Sequence, residues 1–132
     1  MSRHSREETL SFYYAVYQEV QLIPYGKITS YGHIAKLISR PLNSRQVGQA
    51  LKILNHFNSG EENVLYNTNN VPWWRVVNYK GMISPRENGG MLAQKAKLEE
   101  EGVVVAEYED GSLGIDDSGT TTIWWLPPTE FD

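Results

Sequence analysis

Among its 132 residues the chain has no cysteine. This excludes disulfides, thiolate metal sites and every reaction that needs a sulfur nucleophile, since the thiolate is the soft anion such chemistry uses. It also fits an intracellular protein. No apolar run is long enough to span a membrane, and the opening Met1-Ser2-Arg3-His4-Ser5-Arg6 lacks the apolar stretch of a signal peptide. Histidine is scarce: His4, His33 and His56 are not spaced as metal ligands usually are, so neither a metal nor a cofactor is expected. No Ser-His-Asp set or paired-carboxylate site stands out, which ranks a hydrolase low.

Charge of one sign is missing over long stretches. Between Glu19 and Glu61 there is no acid, while Lys27, Lys36, Arg40, Arg45 and Lys52 contribute five positive charges. From Glu99 to Asp132 there are ten acids and no Lys or Arg. The net charge of −4 weighs against nucleic-acid binding, but screening confines local fields to roughly 10 Å, so a basic face with an acidic opposite end remains compatible with a polyanion on one side. On charge alone, an ordinary solvated surface is the better account of the five cations.

The length suits one domain, 1–132, with a modest core. Ser5 as N-cap and Glu8 three residues on predict a first helix from about Arg6 to Gln21, its buried stripe being Phe12, Tyr13, Val16, Tyr17 and Val20. A second helix is expected from Tyr31 to Ser39, capped by Thr29 or Ser30 and ended by Pro41. A third is expected from Asn43 or Ser44 to Leu54, with Val47, Gly48, Ala50, Leu51 and Leu54 on its apolar side. Two short helices joined by a tight turn, cation-rich and acid-free, read as a helix-turn-helix. Gly48 in mid-helix implies close approach of another backbone, from the protein or from DNA, because glycine there costs about 1 kcal/mol against alanine. Residues 55–70 read as a loop, Val71 to Asn78 as extended, and Met91 to Glu101 as a helix ended by Gly102. Residues 103–105 and 111–115 are expected to pair as a hairpin, and the tail, 106–132, to pack back through Trp124 and Trp125.

The run Pro72-Trp73-Trp74-Arg75-Val76-Val77 closely resembles the Pro-Cys-His-Arg-Val active-site motif of the O6-alkylguanine-DNA alkyltransferases, with tryptophan where the alkyl-accepting cysteine belongs. Three further segments match in order over about 23–105: Ile23 to Gly32 resembles the entry to the family's helix-turn-helix, Ser44 to Ala50 the start of its recognition helix, and Asn88-Gly89-Gly90 with Leu98 to Gly102 the lid of its base pocket and the helix behind it. A domain with this resemblance and no nucleophile has the pattern of the alkyltransferase-like proteins.

The resemblance implies a mainly α (α+β) fold, a single winged-helix-like domain with a helix-turn-helix and small β-hairpins. It implies binding of double-stranded DNA containing O6-alkylguanine, extrusion of the lesion from the stack, no repair chemistry, and hand-over to nucleotide excision repair proteins. A monomer without membrane contact is expected, in the nucleus of a eukaryote or otherwise in the cytoplasm. Arg45 matches the arginine that fills the vacated stack, and Tyr31 the tyrosine that crowds the target phosphate and assists rotation. Trp73 would line the pocket beside the alkyl group. The carbonyls of Trp73 and Val76 and the amides of Asn88 and Gly89, with Gly90 and Met91 in the same loop, would hold the base edge. Trp74 departs from the family's histidine, so Glu101, the matching relay glutamate, is left without its histidine partner and reads as a helix-end residue. Arg75 reads as structural. The stretch between Arg45 and Trp73 is longer than the resemblance calls for, and Asn67, Asn69 and Asn70 all compete for the asparagine ahead of the motif. The alternative is a sequence-specific regulator whose third helix reads the major groove.

Overall fold

The computed structural model describes residues 3–54, 65–87, 89–119 and 122–132, with side chains from Arg6 onward. Helix α1, Arg3–Val20, is longer at its start than the capping pattern implies, and Ser5 lies inside it rather than at its N-cap. Its expected stripe is buried: Val16, Tyr17 and Val20 are inaccessible, with Phe12 and Tyr13 packed at the edge. A short strand β1, Thr29–Ser30, leads into α2, Tyr31–Leu37. Ser30 is the cap, its hydroxyl accepting from the His33 amide at 3.0 Å. Helix α2 ends before Pro41 can act, because Ser39 takes a left-handed φ of 61° and turns the chain. Helix α3, Ser44–Ile53, follows with Asn43 as N-cap.

The segment expected to be extended through the tryptophans is instead folded. Trp73–Arg75 form a 3-10 turn, closed by Arg75 N donating to Pro72 O at 3.1 Å, and only Val76–Val77 are strand, β2. Burial of both indoles overrides the extended preference of the flanking valines. Strand β2 pairs in parallel with β1, Thr29 opposite Val76 and Ser30 opposite Val77, so this small sheet is not a hairpin. Helix α4, Gly90–Glu100, is followed by Gly102 at φ 85°, the left-handed residue a helix end favours. Strands β3, Val105–Glu107, and β4, Leu113–Ile115, make the expected antiparallel hairpin, displaced toward residue 107 on its first arm.

One core joins these parts. Val47, Ala50, Leu51 and Leu54 of α3 meet the α1 stripe, Ile34 and Ala35 of α2, and Trp73, Trp74, Val76 and Val77. Tyr17 ties α1 to α3 by donating its hydroxyl to Ala50 O at 2.7 Å. Residues 122–132 return across the molecule: Trp124 bridges Ile28 in parallel, and Trp125 N donates to Ile28 O at 2.7 Å. The tail packs back as expected, with both tryptophans partly buried.

Candidate functional site

Helix α2 begins at Tyr31 and α3 places Arg45 on its first turn, so the two face one cleft of about 290 Å³. Ser44, Gly48, Gln49, Lys52 and Ser84 complete its lining. Tyr31 lies across Gly48, where a Cβ would sit 3.6 Å from the ring, an ordinary contact distance. Packing within the protein therefore does not demand glycine at 48. Tyr31 donates its hydroxyl to Ser84 Oγ at 3.2 Å, which anchors the loop after β2 to the start of α2.

Trp73 is 7% exposed and meets Trp74 edge-on, ring centroids 5.9 Å apart at 86°. Its face is covered by Arg86, whose guanidinium carbon lies 4.6 Å from the ring centroid. Arg86 was not singled out in the sequence. Its three guanidinium nitrogens are buried, and among the described residues none has an acceptor in hydrogen-bond geometry. Burial holds the Arg86 pKa below its ordinary value, with the neighbouring Tyr31 hydroxyl opposing that shift. A buried fork of donors without acceptors is unfavourable unless something else satisfies it. Gly90 makes room for this arrangement: a Cβ there would lie 2.6 Å from Arg86 Cβ. Gly89, the N-cap of α4, is left-handed at φ 75°. Met91 is partly buried against the core, and Asn88 lies outside the described residues.

Tyr31, Trp73 and Gly90 thus converge on Arg86, and Arg45 shares Tyr31's cleft. Val76 does not join them. It is fully buried, and its carbonyl, expected to face a base, accepts from Gln94 Nε2 at 3.1 Å. The same nitrogen reaches Trp74 O at 3.1 Å, so fully buried Gln94 clamps the turn that carries both tryptophans. Its position four residues before buried Leu98, on one helix face, is the signal that marks it.

Behind the turn, Trp74 takes the place expected of a histidine in one respect. Its indole Nε1 donates to Glu101 Oε2 at 2.7 Å. Glu101 is therefore partnered after all. It also accepts from Gly26 N at 2.8 Å and from Arg75 through Nε and Nη2, the closest contact being 2.7 Å. Burial alone would raise the Glu101 pKa, but the bonds from Arg75, Gly26 and Trp74 outweigh it and hold the carboxyl below its usual range. Arg75 spends its remaining reach on Ile23 O at 2.8 Å, which fits a structural role. An indole N–H donates and cannot accept, so this network can hold geometry and cannot relay a proton. Of the three asparagines ahead of the motif, Asn67 is the buried one, and its Oδ1 accepts from the amides of Asn69 and Asn70.

The basic stretch is less free than its composition implies. Lys27 Nζ donates to Thr122 O, and Lys36 Nζ lies 4.0 Å from Asp132. Arg45 and Lys52 are the cations of the Tyr31 cleft. Among the described residues, no group of His, Asp and Glu is arranged to hold a metal ion, and no helix is long and apolar enough to cross a membrane.

The profile of the 6-O-methylguanine DNA methyltransferase DNA-binding domain matches residues 11–103. Alkyltransferase-like protein 1 of Schizosaccharomyces pombe is 41% identical over 117 residues, 88% of this chain and 95% of that protein. The DNA base-flipping protein of Escherichia coli is 38% identical over 100 residues, 76% of this chain and 68% of that protein. A crystal structure of the S. pombe protein in complex with damaged DNA containing O6-carboxymethylguanine superposes with a TM-score of 0.70 at 38% identity, covering 89% of this chain and 96% of that one. With tryptophan at position 73 and no cysteine elsewhere, the chain offers no thiol to accept an alkyl group. The chain belongs to the alkyltransferase-like proteins, which carry the DNA-binding domain of the O6-methylguanine methyltransferases.

Proposed function

We propose that this protein, acting as one domain over residues 1–132, recognises O6-alkylguanine in duplex DNA, flips it from the stack without repairing it, and marks it for nucleotide excision repair. The observation that carries this reading is the buried Arg86 fork, without an acceptor in hydrogen-bond geometry among the described residues, lying on Trp73 beside the cleft of Tyr31 and Arg45. A flipped purine brings what this place lacks: a flat face for an indole and acceptor atoms, O6 and N7, for a guanidinium. Arg86 swings off Trp73 as the base enters and then hydrogen-bonds its edge. Arg45, exposed on the first turn of α3, fills the vacated stack with a flat, always-charged group. Tyr31 crowds the target phosphate, and the loop of Asn88, Gly89, Gly90 and Met91 closes over the base. Val76 contributes by holding the turn, not by touching DNA.

Burying one methyl group contributes only about 1 kcal/mol, so preference over guanine comes chiefly from easier extrusion of the weakened pair. A DNA partner supports action inside the cell, in the nucleus of a eukaryote or the cytoplasm of a prokaryote. The S. pombe protein's complex with O6-carboxymethylguanine supports lesion over sequence as the recognised feature. The test is binding to two duplexes that differ only in O6-methylguanine against guanine, at fixed salt, for wild type and Arg45→Ala. The proposal expects tighter binding to the lesion, weakened by alanine; equal affinity for both duplexes would instead favour a sequence-reading regulator.

A further inference from the structure

The acidic end of the chain lies where the composition alone would put DNA. Residues 122–132 run along β1 and α2: Ile28 N donates to Ile123 O at 2.9 Å, and His33 Nε2 is 2.7 Å from Pro127 O. Further on, Ser39 donates its hydroxyl to Glu130 at 2.6 Å, and Lys36 approaches Asp132 at 4.0 Å. Asp132 is fixed there, because its carboxylate accepts from Thr129 N at 2.7 Å and from Thr129 Oγ1 at 3.1 Å. Those bonds from Thr129, with smaller contributions from Lys36 and His33, keep its pKa below the ordinary aspartate value, so it stays charged.

Helix-turn-helix proteins commonly lay their first helix across the phosphate backbone. Here that helix carries Lys36, and Arg40 follows it, yet two carboxylates lie against this end of the helix-turn-helix. Within a Debye length of roughly 8–10 Å they oppose a phosphate that approaches Lys36. The cations of the Tyr31 cleft, Arg45 and Lys52, make no ion pair with this segment among the described residues.

We propose that segment 122–132 is a built-in counter-charge that screens the α2 face from DNA and confines the duplex to the α3 edge, where Arg45 and Lys52 face the cleft. Its consequence is weak general affinity for undamaged DNA, so that extrusion of the lesion, rather than phosphate attraction, decides where the protein rests. The inference rests on DNA binding alone and survives if lesion preference fails.

Exposed pairs of this kind contribute little to stability, so Glu130→Gln/Asp132→Asn is expected to fold as wild type does, which thermal unfolding checks. Its affinity for an undamaged duplex should rise several-fold, and log K against log salt should steepen by about one, as one more phosphate contact is gained. Lys36→Gln by itself should change little, but added to the double variant it should cancel most of the gain. Unchanged undamaged-duplex affinity and salt slope in the double variant, or a gain that persists without Lys36, would overturn the proposal. Lesion preference, measured on the same proteins, reports separately on the recognition reading.

Discussion

The indole of Trp74 donates to the Glu101 carboxylate at 2.7 Å, filling a donor's place with a group that cannot pass on a proton. The bond joins the turn bearing Trp73 to the end of α4. Trp74→Phe keeps an aromatic ring but removes the donor and part of the indole's buried bulk; it should cost at least about 1.5–3 kcal/mol, the range for hydrogen bonds to charged groups. Denaturant unfolding reads this loss, and a variant as stable as wild type would show the bond to be dispensable.

Removing the other partner should be more damaging. Arg75 and Glu101 side chains are only 13% and 5% exposed, so Glu101→Ala leaves a buried guanidinium unpaired, with an expected loss of about 3–5 kcal/mol. Acid should act in the same direction. Glu101 has the lower pKa when folded, so on acidification the unfolded chain takes up the proton first. The stabilisation is complete above the ordinary glutamate value of about 4.3 and is lost as pH falls through the folded pKa. Thermal unfolding from pH 6 to pH 3 should therefore fall more steeply for wild type than for Glu101→Gln; parallel profiles would contradict the assignment.

Arg86 sets stability against function. Arg86→Met removes a buried cation that has no acceptor in hydrogen-bond geometry among the described residues, while keeping apolar bulk over Trp73, and should leave the free protein as stable or more stable by about 1 kcal/mol or more. The same variant should lose most of its lesion affinity. A variant that is destabilised yet binds the lesion normally would show that Arg86 serves the fold instead.

The two lid glycines separate sterics from backbone conformation. Gly90→Ala drives a Cβ to 2.6 Å from Arg86 Cβ and should displace Arg86 from Trp73, changing tryptophan fluorescence and weakening lesion binding. Gly89→Ala meets nothing within 4 Å but must hold φ near 75°, so it should cost about 1–2 kcal/mol while leaving that fluorescence unchanged.

Much of this was legible in the residue order. Helix periodicity located α1, α2 and α3 to within a few residues, and the buried faces of α1 and α3 fell where spacing put them. What spacing could not supply was tertiary. The 3-10 turn at Trp73–Arg75 is imposed by burial of two indoles, and no local signal opposes the extended pattern there. Trp74 looked like a lost relay residue because a donor's reach across 27 positions has no sequence signature. Arg86 stands in a loop without periodicity, so its burial was invisible, and the contact of residues 122–132 with Lys27, His33 and Lys36 spans more than ninety positions. The basic stretch read from composition was real in sequence and partly cancelled in space.

A fluorescent cytosine analogue placed opposite O6-methylguanine reads extrusion of the base most directly. Such an analogue brightens when its partner leaves the stack. With wild-type protein the fluorescence should rise on binding the lesion duplex and stay near baseline on the undamaged one, and Arg45→Ala should reduce the rise. Tight binding to the lesion duplex with no change in fluorescence would contradict the account.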